Sequence, residues 1–106
     1  GSFFKNPVIS QKDIDILRKI FPEVPVYPAP NDAVKISAAW LIDQLGWRGE
    51  ERDGVKVSED HALVLEGCGA RSAAPWLALA EDIAASVKDA YSVSLELEPR
   101  VIGAAG

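Results

Sequence analysis

Hydrophobic and polar positions along the chain switch period several times, and each switch predicts an element. Residues Phe3 to Ile9 of "GSFFKNPVI" are β-rich, although Pro7 donates no ladder hydrogen bond and must sit at an edge or bulge. In "SQKDIDILRKIF" the spacing changes, and Ile14, Leu17, Ile20 and Phe21 fall on one helical stripe. Ser10 is placed to cap this helix, with Asp13 three residues on as in a capping box, and Pro22 ends it. "PEVPVYPAPND" contains four prolines and excludes a regular helix. It predicts an extended loop with a short strand near Val24 to Tyr27.

A second helix follows in "SAAWLIDQLG", with Ser37 as N-cap, Ala38, Leu41, Ile42 and Leu45 on one face, and Gly46 suited to a left-handed end. Trp47 to Asp60 is polar and turn-rich, with "RDG" a hairpin turn ahead of "VKV". "HALVLEG" reads as a buried strand. "SAAPWLALAEDIAASVKDAY" predicts the longest helix, capped by Ser72, with Pro75 in its first turn and Leu79, Ile83 and Val87 repeating at i+4. "VSLELE" alternates, so that Val93, Leu95 and Leu97 face one way and Ser94, Glu96 and Glu98 the other. The order β, α, loop, α, β, β, α, β predicts an α+β class: three helices on one small mixed or antiparallel sheet, in a single domain.

Composition narrows the possible functions. The chain has 106 residues, 48% hydrophobic and 25% charged, with a formal net charge of −5. That length suits one core, and scattered Lys and Arg argue against a nucleic-acid groove. No apolar run approaches the roughly 20 residues that span a bilayer. With Cys68 as the only cysteine, no internal disulfide can form, and a structural zinc site is unsupported.

Candidate chemistry is sparse. "GCGARS" has two glycines but no βαβ fingerprint around it and reads as an ordinary loop. His61 is the only histidine, which leaves a histidine-pair metal site or a Ser-His-Asp triad poorly supported. Glu96 and Glu98 form either a solvated sheet face or, if that face turns to a cleft, a place where desolvation keeps a carboxyl protonated as an acid. Ser2 is either a terminal serine or a proton donor, and the second role needs a neighbour to carry its proton.

Four segments together resemble the third, C-terminal domain of the UDP-N-acetylenolpyruvoylglucosamine reductase family: "GSFFKNP", "VKISAAWLIDQLG", "VSEDHALVL" and "LELEPRVIG". They occur in the family's order and span nearly all of residues 1–106. Where many members end Leu-Glu-Pro-Glu-Val-Arg, this chain has "LELEPR". Keeping Arg100, Ile102 and Gly103 in register assigns the functional glutamate to Glu98; superposing the Glu-Pro pairs would choose Glu96 or no residue at all.

The resemblance implies a substrate-binding domain of a cytoplasmic bacterial flavoenzyme that makes peptidoglycan precursors. In that family NADPH reduces FAD, and the flavin reduces the enolpyruvyl ether of UDP-N-acetylglucosamine enolpyruvate to UDP-N-acetylmuramate. It implies Ser2 as proton donor, Glu98 near the substrate carboxylate, and Asn6 and His61 as contacts to the UDP part, with Lys5 a further charge toward the diphosphate. FAD-binding domains are expected upstream of this segment, so no FAD or NADPH is expected on this domain alone, nor any metal, nucleic acid or membrane. The alternative is a stand-alone, non-catalytic nucleotide-sugar-binding or protein-interaction module.

Overall fold

The computed structural model describes residues 3–98. Strand β1 (Val8–Ser10) leads directly into helix α1 (Gln11–Ile20), where Ser10 Oγ accepts the Asp13 amide at 3.1 Å. Strands β2 (Val26–Pro28) and β3 (Ala33–Ile36) form a hairpin beyond it. Its tight turn places Asn31 and Asp32 at φ 61° and 58°, and the Ala33 amide closes on the Pro30 carbonyl at 3.2 Å. Two successive left-handed residues match the right-handed twist of the flanking strands, and Asn and Asp tolerate that conformation. The order in this sheet is β1-β3-β2, all antiparallel.

Helix α2 (Ala38–Gln44) starts with Ser37 Oγ accepting the Trp40 amide at 3.1 Å. Gly46 follows its end at φ 79°. Strands β4 (Glu51–Arg52) and β5 (Val55–Val57) flank the expected Asp53-Gly54 turn, and β6 (Leu65–Gly67) completes a second antiparallel sheet in the order β4-β5-β6. Gly54 is required twice over. Its φ is +83°, and a Cβ there would come 2.5 Å from the Ala70 nitrogen, because its carbonyl receives the Cys68 and Ala70 amides.

Helix α3 (Ala74–Tyr91) buries Leu79, Ile83, Val87 and Tyr91. It has no side-chain cap, so Ser72 does not have its expected role. Ala73 is the N-cap residue, and Pro75 removes the second-position amide that a capping oxygen would have bound. Arg52 ties the second sheet to this helix, lying 5.1 Å from the Trp47 ring centroid and pairing with Asp82 at 2.6 Å.

The class is α+β as expected, with the strands divided between two antiparallel sheets rather than joined in one. The first β-segment is interrupted at Asn6-Pro7. Phe4 forms an isolated antiparallel bridge to Leu97, and regular pairing resumes only at Val8. The last segment keeps its alternation, with Val93 buried and Ser94 and Glu96 exposed, but among the described residues it makes only that bridge. In "HALVLEG" the first four residues form a turn instead, closed by the Ser58 amide on the Val64 carbonyl at 2.8 Å.

Candidate functional site

Phe3 is the meeting point of the chain's distant segments. Its amide donates to the Leu63 carbonyl at 2.7 Å, and its carbonyl accepts the Glu98 amide at 2.9 Å. Two residues further along, Lys5 donates to the Glu96 carbonyl at 2.9 Å. The first segment therefore lies between the 61–64 turn and the last segment, antiparallel to the latter, with Phe3 opposite Glu98. Glu98 is half-buried. Ser2, bonded to Phe3, lies outside the described residues. Both phenylalanines are buried, Phe3 at 6% and Phe4 at 2% exposure, because adjacent side chains on an extended segment point to opposite faces and here both faces are covered.

His61 is exposed on the turn after β5. The turn is held by Ser58, a polar residue only 3% exposed, whose Oγ accepts the amides of Asp60 at 3.2 Å and His61 at 3.3 Å. A hydroxyl satisfying two successive amides ahead of it is the serine version of a backbone turn. His61 lines a cleft of about 440 Å³ with Trp40, Ser37, Arg48, Asp43 and Leu63. Arg48 is paired with Asp43 at 2.6 Å, and Asp60 also lines this space, so the cleft does not favour a diphosphate by charge.

Asn6 lies elsewhere. It lines a second cleft of about 400 Å³ with Lys5, Ser94 and Glu96, where Lys5 and Glu96 form an exposed ion pair at 3.5 Å. Its Oδ1 accepts the Ala38 amide at 3.0 Å, so the side chain helps cap α2 and leaves only its NH₂ to donate elsewhere. Asn6 and His61 thus line separate clefts on either side of the α2 start, one bordered by Asn6 and the other by Ser37.

The expected residues are therefore brought together unevenly. Glu98 is beside Phe3, Asn6 is one turn of chain away, and His61 reaches the same region through Leu63. Sequence reasoning missed Ser58, although Ser followed by Asp60 and His61 is a turn signal, and it missed the second task of Asn6. Among the described residues, no group of three or more His, Cys, Asp or Glu is placed to hold a metal, and no helix is long and apolar enough to cross a membrane.

A flavin dinucleotide needs backbone amides, at a helix start or a glycine turn, for its pyrophosphate. Here Ser10, Ser37 and Asn6 already occupy amides at the starts of α1 and α2, the uncapped start of α3 loses its second amide to Pro75, and the loop after β6 closes on the Gly54 carbonyl. These residues do not fit that group, and no step is drawn through it on this chain.

Fold and site together define an α+β domain whose two ends pair beside open clefts at a helix start. The family model described as UDP-N-acetylenolpyruvoylglucosamine reductase, C-terminal domain, matches residues 1–102. The UDP-N-acetylenolpyruvoylglucosamine reductase of Xanthomonas oryzae pv. oryzae (strain KACC10331 / KXO85) is 50% identical over 105 residues, covering 98% of this chain and 31% of that protein. The protein of the same name from Xylella fastidiosa (strain 9a5c) is 46% identical, with 98% and 30% covered. The chain belongs to the UDP-N-acetylenolpyruvoylglucosamine reductase C-terminal domain family, and it spans about 30% of the length of these curated relatives.

Proposed function

We propose that this chain is the substrate-binding part of a bacterial, cytoplasmic reductase that converts UDP-N-acetylglucosamine enolpyruvate to UDP-N-acetylmuramate during peptidoglycan precursor synthesis. The observation that carries this is the antiparallel pairing of the first and last described segments, in which Phe3, the neighbour of Ser2, lies opposite Glu98. A hydroxyl and a carboxyl from opposite ends of the sequence can then serve one substrate.

FAD, held by other parts of the complete enzyme and reduced by NADPH, would supply the hydride. On the substrate, a new C–H bond forms at the terminal carbon of the enolpyruvyl group. The π pair moves to the adjacent carbon and spreads into its carboxylate as an enolate. The Ser2 O–H bond then breaks, its proton goes to that carbon, and the serine oxygen recovers a proton from solvent. Glu98 serves the substrate carboxylate, where it must carry a proton or orient a donor, because a bare carboxylate would repel the growing charge. The Asn6 NH₂ contacts the UDP part, and His61 approaches it from the other side of the α2 start. Lys5 can exchange Glu96 for a phosphate at small cost, since an exposed ion pair of this kind holds its partners weakly.

The test separates the two halves of turnover in the full-length enzyme. Ser2→Ala is expected to leave flavin reduction by NADPH at the wild-type rate, while reoxidation by the enolpyruvyl substrate slows by about 10²-fold or more, the scale of a lost positioned acid. Reoxidation at the wild-type rate would remove Ser2 from this role.

A further inference from the structure

Trp76 stands in the first turn of α3, outside the segments that contain the proposed chemistry, yet it touches the residue on which they converge. Its ring stacks on Phe3 with centroids 6.5 Å apart and planes inclined by 16°. It also packs against Gly67 at the end of β6, where a Cβ would approach Cζ2 to 3.2 Å. The absent side chain of Gly67 makes room for the indole, which is wedged between the second sheet and Phe3. Phe3 is thus held by the wedge and by its two backbone bonds, one to Leu63 and one from Glu98.

We propose that Trp76 is a positioning residue for proton transfer: through its stack on Phe3 it fixes the backbone that carries Ser2 relative to Glu98. This rests on the function proposed above. A stacked aromatic pair restrains its partner in distance and tilt, and a displacement of about 1 Å at a reacting group can cost 10²-fold in rate. Neither described partner of the indole, Phe3 or Gly67, is proposed to contact substrate, so loss of the indole should appear in the rate of the chemical step and leave affinity for the nucleotide sugar little changed.

The experiment uses the full-length reductase carrying this domain, with rapid-mixing measurement of flavin reduction by NADPH and of reoxidation by UDP-N-acetylglucosamine enolpyruvate. Trp76→Ala is expected to reduce at the wild-type rate and reoxidise about tenfold more slowly or worse, with KM for the nucleotide sugar little changed. Trp76→Phe, which keeps a stacking ring, is expected to recover to within about threefold of wild type. Gly67→Ala should fall between them. Gly67 does not have a left-handed φ, and among the described residues the indole is the only group its new methyl would meet. This milder change also decides the matter if Trp76→Ala does not fold.

Wild-type reoxidation in folded Trp76→Ala or, failing that, in Gly67→Ala would overturn the proposal. So would a loss confined to KM, or one that Trp76→Phe does not relieve. Ser2→Ala run alongside separates the two ideas. If it is slow while the Trp76 variants are normal, only the positioning role falls; if it is normal, the proton-donor assignment falls and this role with it.

Discussion

The proposed function gives Asn6 a second task beside its cap on α2, and the two can be separated by a single atom. Its Oδ1 accepts the Ala38 amide, while its NH₂ is the donor assigned to the UDP part. Asn6→Asp keeps an acceptor for Ala38 and adds negative charge at a helix start, where it is favourable by about 0.3–1 kcal/mol. Stability of this variant in urea is therefore expected to equal or slightly exceed wild type, whereas Asn6→Ala should lose about 1 kcal/mol. Binding should behave oppositely. A donor to a charged ligand group is worth about 1.5–3 kcal/mol, so calorimetry on the full-length Asn6→Asp enzyme should find the nucleotide sugar bound about tenfold more weakly or worse. Wild-type affinity would leave Asn6 with the cap alone. At this scale the sequence was only half legible. "KNP" marks a polar break before a proline, but the partner of Asn6 is 32 residues away, and no local spacing reveals a cap delivered from such a distance.

Elements with local rules were the most legible. Ser10 and Ser37 cap as their spacing implies, Asp53-Gly54 turns the hairpin, and Leu79, Ile83 and Val87 continue to a fourth buried position at Tyr91. Elements that depend on distant pairing were less so. β3 was hidden because Ala33–Ile36 is short, follows a proline-rich stretch and alternates only once it has partners on both sides. "VSLELE" has the period of a strand but pairs only once, at Leu97.

The C-terminal end of α3 supports a prediction of its own. Tyr91 is 7% exposed, donates to the Leu41 carbonyl of α2 at 3.3 Å and meets Phe21 edge-on at 4.8 Å. Burial pushes its phenol above the ordinary tyrosine range. Unfolded, it loses its proton near pH 10, while the folded form retains the proton to higher pH. The unfolded state therefore binds fewer protons in that window, and stability falls as pH rises from about 10 through the folded value. Below pH 10 this group contributes no slope. Tyr91→Phe should lose about 1 kcal/mol at neutral pH with the hydrogen bond and show a shallower alkaline decline. An unchanged decline in urea titrations across that window would assign it to other groups.

At the scale of the whole molecule, two small sheets and three helices are joined through the first segment, which bonds to the 61–64 turn and the last segment before entering β1. Phe4, two residues before the break at Asn6-Pro7, is 2% exposed and belongs to the same hydrophobic cluster as Ile36, Val57, Leu79 and Ile83. The scaffold of the proposed site is therefore continuous with the core rather than a flap laid over it. Removing a buried phenylalanine side chain typically costs 3–5 kcal/mol, a large share of the roughly 5–15 kcal/mol that holds a domain together.

Phe4→Ala is thus expected to lower the urea midpoint sharply, with one cooperative transition and an unchanged slope. In hydrogen exchange the amides of Phe3, Lys5 and Glu98 should lose protection together with those of α3, because they open only when the core opens. Early exchange at those three amides beside a still-protected α3 would mean that the paired ends form a separate, weaker unit. A separate unit could breathe during turnover, and the proton donor would then depend on substrate to be set in place. Shared protection means instead that Phe3, the Glu98 backbone and the wedge on Phe3 are positioned by folding itself, before any substrate arrives.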